Sequence, residues 1–182
     1  ANSRMPNELL DHVTEHLAAL VGARIEDNIW NGTTATAGNF TGFVRATVGS
    51  LITDSTVNDV TLAATFTKTN IVGEFEKMIN AATSQVLSHP NVAMYVSTKT
   101  AFLYQQALGA SGYQDDYQVN AKPMNIYGIP VYDCPGMLDN TIVLTYTDNL
   151  VFGSNILTDA SSVWVNDMSP IDGSDNVRFV MK

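Results

Sequence analysis

The feature that most constrains this chain is a long apolar periodicity near its start. Apolar side chains recur at every third or fourth position, as on one face of an amphipathic helix: Leu10, Val13, Leu17, Leu20, Val21, Ile25 and Ile29. Pro6 suits the first turn of such a helix, and Asn31-Gly32 suits a left-handed stop. The pattern predicts a helix of about 24 residues, roughly 36 Å long. A helix of this length is typical of a structural spine, and we expect its apolar face to be buried.

Shorter helices and strands follow the long helix. Residues 33–50 predict an ordered loop or short strands, and residues 51–68 predict a connection between two lobes. The other predicted elements are helices from Thr69 or Asn70 to His89-Pro90 and from Ser97 or Thr98 to Gly109, and strands at residues 91–97, 126–132, 141–146, 162–166 and 176–181. This order lacks the strict strand–helix alternation of a doubly wound fold, and the predicted class is α+β.

Composition excludes several classes of function. The net charge is −9, and the nine Lys and Arg residues are scattered, so the row of cations that faces a phosphate backbone is missing. No apolar run reaches the ~20 residues of a membrane span, and no glycine-rich phosphate loop follows a strand. Cys134 is the only cysteine, which excludes an intrachain disulfide and a cysteine zinc cluster. Charged residues make up only 15% of the chain, which leaves uncharged surface for partners.

One motif resembles a metal site. His12, Glu15 and His16 spell H-x-x-E-H, which on a helix places two imidazoles one turn apart beside a carboxylate. A mononuclear zinc site needs a third protein ligand, for which Glu74 and Glu76 are the candidates. The two histidines flank the apolar face of the predicted helix, and we favour their interpretation as solvated or interface side chains over zinc chemistry.

The remaining polar clusters have simple structural interpretations. To act as a nucleophile, Cys134 would need a partner base, and His12, His16 and His89 are the only histidines of the chain. We interpret Cys134 as an inert thiol. Asp115-Asp116, between Tyr113 and Tyr117, are interpreted as a solvated loop tip. Asp133 and Asp139 lie on either side of a Pro-Gly turn and are interpreted as turn residues. Asp172-Gly173-Ser174-Asp175 is interpreted as a hairpin turn. We therefore predict no catalytic, cofactor or metal residue, and a protein that is not an enzyme.

Several stretches carry a family pattern by their order along the chain. They are Arg24–Gly32 with Gly38–Phe43, Asn91–Ser97 leading into Lys99–Leu103, Gly128–Tyr132, Asp148–Gly153 and Val163–Asp167. In this order they resemble the major capsid protein of tailed phages, with its spine helix, glycine loop, axial-domain strand and helix, G-x-P-V strand and return to the peripheral domain. The resemblance runs from about residue 8 to residue 181. The family's N-terminal arm and extended loop have no counterpart, so a truncated core is expected.

The resemblance implies a Hong Kong 97-type capsid fold with a long spine helix, mixed or antiparallel sheets, and axial and peripheral lobes. The implied domains are residues 1–53 in the peripheral domain, 54–158 in the axial domain and 159–182 returning to the peripheral domain. The implied function is a structural subunit of an icosahedral bacteriophage shell around double-stranded DNA, made in the bacterial cytoplasm and located in the virion. Implied partners are other copies of the chain in pentamers and hexamers, with a scaffolding protein, portal and maturation protease. Alternatives are an encapsulin-type compartment shell, a phage tail or adhesin module with trimeric or fibrous assembly and, more distantly, a zinc hydrolase.

Overall fold

A computed structural model describes residues 7–36, 39–45, 51–110, 124–151, 153, 163–174 and 176–181. Its elements include several helices and a four-stranded sheet with both parallel and antiparallel pairs, so the predicted α+β class is confirmed. The chain divides into two compact units, Leu17–Leu150 and Ala1–His16 with Val151–Lys182. The predicted domain limits after residues 53 and 158 stay a prediction.

Helix α1 spans Asn7–Asn31, 25 residues, which confirms the long first helix and its end. The way in which it ends differs from the prediction. Gly32 does not take the positive φ of a left-handed cap. Its N–H continues the helical pattern by donating to the Asn28 carbonyl at 2.9 Å.

A later segment of the chain closes α1 instead. The N–H of Phe43 donates to the Ile29 carbonyl, and the N–H of Val44 donates to the Trp30 carbonyl, both at 2.9 Å. The last carbonyls of a helix have no partner within the helix, and these bonds satisfy two of them. The described parts of residues 33–50 therefore contain a capping segment and turns, and no strand.

Two glycines let the backbone approach the end of α1. A Cβ at Gly42 would lie 2.6 Å from the carbonyl carbon of Trp30, and a Cβ at Gly136 would lie 2.7 Å from the backbone of Glu26 and Asp27. Real Cβ contacts are longer, so any larger residue must displace backbone at either position. We call Gly42 and Gly136 the glycine clasp.

The second predicted helix is two helices, α2 (Ile71–Ala81) and α3 (Ser84–Leu87). Ala82 and Thr83 between them are extended, with ψ of 144° and 151°. Thr83 is β-branched and tolerates the extended region well, and its carbonyl starts α3 by accepting the N–H of Leu87 at 3.1 Å. The prediction of one continuous helix up to His89-Pro90 is therefore wrong.

Helix α4 spans Thr98–Ala110. Ser97 caps it as predicted, because its Oγ accepts the Thr100 N–H at 3.3 Å. The predicted end at Gly109 is wrong, since the helix continues through this glycine. Glycine costs a helix only about 1 kcal/mol relative to alanine, which the packing of buried neighbours on the same helix can offset.

The main sheet contains β1 (Val92–Ser97), β2 (Met124–Ile126), β3 (Ile129–Cys134) and β4 (Ile142–Tyr146) in the order β2-β3-β1-β4. Strand β1 is parallel to β3 and antiparallel to β4, while β2 and β3 are antiparallel. The predicted strands at residues 91–97 and 141–146 are confirmed.

A hairpin replaces the single strand predicted at residues 126–132. Ile126 pairs with Ile129, and the two residues between them, Tyr127 and Gly128, have φ of 50° and 84°. Two consecutive positive φ values define a type I′ turn, whose twist matches antiparallel strands. The Tyr-Gly pair therefore reverses the chain, and the prediction of a continuous strand through it is wrong.

The second sheet pairs β5 (Val163–Asp167) with β6 (Val177–Met181) as antiparallel neighbours. Both strands lie near their predicted positions and are confirmed. Their connection contains the one-turn helix α5 (Ser169–Asp172), followed by Gly173 with φ of 72°. It is therefore longer than the tight hairpin turn predicted at 172–175, of which Asp175 lies outside the described residues.

Strand β1 is buried on both faces, as its continuous apolar run predicts. Met94 and Val96 pack with residues of α2 and α4 in a first cluster around Phe75. Tyr95, which points to the opposite face, packs against Trp30 in a second cluster. Within unit 17–150 the sheet thus lies between a helix layer and the C-terminal end of α1.

Candidate functional site

Helix α1 carries an exposed apolar surface. Leu20, Val21 and Ile25, which the periodicity predicts to be buried, are 53%, 38% and 46% exposed. The stretch from Leu17 to Ala23 contains no charged residue. The prediction of a buried stripe is wrong at these three positions. We call Leu20, Val21 and Ile25 the apolar stripe.

The H-x-x-E-H residues lie on another part of the same helix. The side chains of His12, Glu15 and His16 are exposed. In the described ranges no three His, Cys, Asp or Glu side chains are grouped so that they could hold a metal ion. The zinc interpretation therefore stays a hypothesis.

The two candidate third ligands have other partners. Glu74 is 4% exposed, accepts the Lys77 ammonium at 2.8 Å and accepts the Ala63 N–H at 3.1 Å. Its hydrogen bond with Lys77 lowers the pKa of the Glu74 carboxyl, and the Ala63 N–H adds to this against the opposing effect of burial. Glu76 accepts the Tyr127 hydroxyl at 2.6 Å. Because Glu74 accepts the Ala63 N–H, it anchors the segment before α2.

We expect Glu74→Gln to lower the free energy of unfolding at pH 7 by about 1 kcal/mol, because a charge-assisted bond becomes neutral. The folded-state pKa of Glu74 is below its ordinary 4.5. Its stabilisation is thus present above pH 4.5 and is lost as the pH falls through the folded value. Urea unfolding at pH 7, 4 and 3 should show the difference between wild type and variant shrinking with acidity. Glu15→Gln is the matched control, and a difference independent of pH would contradict the assignment.

Asp139, which follows the Pro-Gly turn, has a structural role. Asp139 pairs with the Lys99 ammonium at 3.0 Å and accepts a bond from the Ser97 hydroxyl at 3.4 Å. It therefore links the start of α4 to the turn before β4. The predicted loop tip with Tyr113, Asp115, Asp116 and Tyr117 lies outside the described residues.

Cys134 is a half-buried free thiol at the end of β3. Burial, together with the negative charges of Glu26 and Asp133, raises its pKa to about 11. A thiol with this pKa is protonated at neutral pH and is a poor nucleophile. The third histidine, His89, stacks on Tyr146 with ring centroids 4.3 Å apart.

A groove of about 780 Å³ lies between β4 and the segment that precedes α2. Its lining is mainly apolar, with Val57, Leu62 and Leu144 among its residues, and it also includes Arg45 and Asp59. Sequence analysis missed this groove because residues 51–68 show no periodicity. The polar anchors in and beside this segment, such as Asn58 and Glu74, become informative only once their partners are known.

Comparison with known proteins leaves the family open. No family model, curated protein or solved structure matches this chain. No helix in the part of the chain that the structure describes combines the length and apolarity needed to cross a bilayer.

Proposed function

We propose that this chain is a structural subunit of a bacteriophage-type icosahedral shell that encloses double-stranded DNA. The observation that carries the proposal is the exposed apolar stripe of α1. The ordered series of motifs that resembles tailed-phage major capsid proteins adds the class of assembly. The finer fold, a Hong Kong 97-type capsid fold, is part of the same proposal.

The energetics favour association through the stripe. Burying a Leu, Ile or Val side chain contributes about 1.5–3 kcal/mol, so three partly exposed ones form a substantial unused surface. A closed shell repeats the same contacts around its symmetry axes, and modest individual contacts add up. The net charge of −9 suits an inner wall that does not adhere to packed nucleic acid.

The proposed partners are other copies of the chain, arranged as pentamers and hexamers in the virion. A scaffolding protein, a portal and a maturation protease belong to the same proposal, as does synthesis in the cytoplasm of a bacterial host. An encapsulin-type shell would use the same subunit contacts around a protein cargo. Neighbouring portal and terminase genes would distinguish the phage shell from that compartment.

Electron microscopy of the expressed gene product, with light scattering after size exclusion, tests the proposal. We expect closed particles for the wild type and their loss, by at least tenfold in yield, for Leu20→Asp with Ile25→Asp. Each introduced carboxylate would have to be desolvated in the contact. Circular dichroism must show that the variant remains folded.

Ala19→Asp is the matched control. At 100° per residue, Ala19 lies on the other side of α1 from the stripe and is exposed. This variant should assemble like the wild type. A wild-type product that stays monomeric at all concentrations would end the proposal, and equal losses for both variants would remove the stripe from it.

A further inference from the structure

Among the described residues, strand β4 ends the main sheet, so one of its edges has no neighbouring strand there. In an antiparallel ladder, successive residues point their N–H and C=O groups alternately to the partner strand and away from it. The Thr147 N–H donates to the Asn91 carbonyl at 3.1 Å and so fixes this alternation in the register of β1 and β4. Consequently the backbone groups of Ile142, Leu144 and Tyr146 point to the open edge. They have no hydrogen-bond partner within the described chain.

The open edge faces the 780 Å³ groove, and the opposite wall is held in place at several points. The Asn58 side-chain amide donates to the Ala81 carbonyl at 2.7 Å, and the Phe66 N–H donates to the Asn140 side chain at 2.8 Å. Glu74 holds Ala63 between these points. Because this wall stands opposite β4 across the groove, it obstructs edge-to-edge pairing with the β4 of a second copy.

The groove also carries charge. Arg45 and Asp59 line it, are exposed, and form no ion pair in the described part of the chain. Asp139 also lines it but is paired with Lys99. Arg45 follows Val44, which belongs to the second core cluster at the C-terminal end of α1. The neighbours of Asp59 also line a smaller hollow beside the C-terminal end of β4. The two free charges are thus complementary to a segment with one acidic and one basic residue.

We infer that the β4 edge binds an extended segment of another polypeptide, which adds a fifth strand to the sheet and carries apolar residues at alternating positions between an acidic and a basic residue. Backbone bonds to an exposed edge supply affinity in this mode of recognition, and side-chain pockets supply specificity. An unpaired edge is prone to aggregation, and the opposite wall restricts access to this one. The inference goes beyond the proposed shell function and does not depend on it.

The test uses two acetylated, amidated peptides, Glu-Val-Thr-Val-Thr-Val-Lys and the same peptide with its end charges exchanged. Binding is followed by fluorescence anisotropy and by amide hydrogen exchange of the protein. We expect one charge order to bind at least tenfold more tightly and to slow exchange at Leu144 and Tyr146 at least tenfold. The amides of Val143 and Thr145, already bonded to β1, should change much less. The double variant Arg45→Glu with Asp59→Lys should reverse the preference between the peptides.

Backbone N-methylation supplies the matched control. Methyl groups on the peptide residues that face β4 should abolish binding, and methyl groups on the alternate residues should leave it within threefold. Equal binding of both methylated peptides, or binding without protection of the β4 amides, would overturn the inference. Protection that rises with protein concentration and needs no peptide would assign the edge to a second copy and would also overturn it.

Discussion

Gly42→Ala is expected to destabilise the protein by about 2–3 kcal/mol, although it adds a single methyl group. The new Cβ would lie 2.5 Å from the Gly32 nitrogen and 2.6 Å from the carbonyl carbon of Trp30. Both neighbours are backbone atoms in the closed end of α1, so no side-chain rotation can relieve the contact. Urea unfolding followed by circular dichroism measures the loss.

Gly22→Ala is the control with identical chemistry. Gly22 lies within α1, and a Cβ added there would meet no atom within 4 Å, so alanine should stabilise the helix by about 0.5–1 kcal/mol. The two variants should therefore move the urea midpoint in opposite directions. A neutral Gly42→Ala would show that the returning segment does not approach Trp30 as closely as described.

Phe75→Ala is expected to cost about 3–5 kcal/mol, a large part of the stability of an ordinary domain. Phe75 is fully buried, and its ring meets that of Tyr104 edge-on with centroids 5.1 Å apart. Truncation would leave a cavity between α2, α4 and the sheet. Thermal and urea unfolding measure the loss, and limited proteolysis would report the loosened packing.

Phe102→Ala is the matched control on α4. Phe102 is 59% exposed, so its removal should change the free energy of unfolding by no more than about 0.5 kcal/mol. Similar losses for the two variants would contradict the burial that separates them. A loss below about 1.5 kcal/mol for Phe75→Ala would contradict the helix layer itself.

Local patterns predict the elements whose causes are local. The apolar repeat indicates the limits of α1, the run at residues 91–97 indicates a strand buried on both faces, and Ser97 caps α4 as its position suggests. The same patterns miss the reversal at Tyr127-Gly128 and the break at Thr83. Both depend on one or two residues within an otherwise continuous apolar pattern, where periodicity has little resolving power.

Features made by distant residues could not be predicted. The glycine clasp requires Gly42 and Gly136 to meet one helix end, and nothing in the sequence pairs them. The groove depends on Glu74 holding Ala63 and on Asn140 holding Phe66. Periodicity identified the apolar stripe but not its exposure, because amphipathic spacing shows which residues share a face and not what covers that face.

The closure of α1 also has a consequence for the order of events during synthesis. Its last turn takes hydrogen bonds from residues 43 and 44, and Asn31 donates its side-chain amide to the Gly136 carbonyl, 105 residues further along the chain. On the ribosome the helix is therefore translated long before the turn that completes its end. Residues 43 and 44 can cap the last turn soon after it is made, whereas the bond from Asn31 has to wait until Gly136 has been translated.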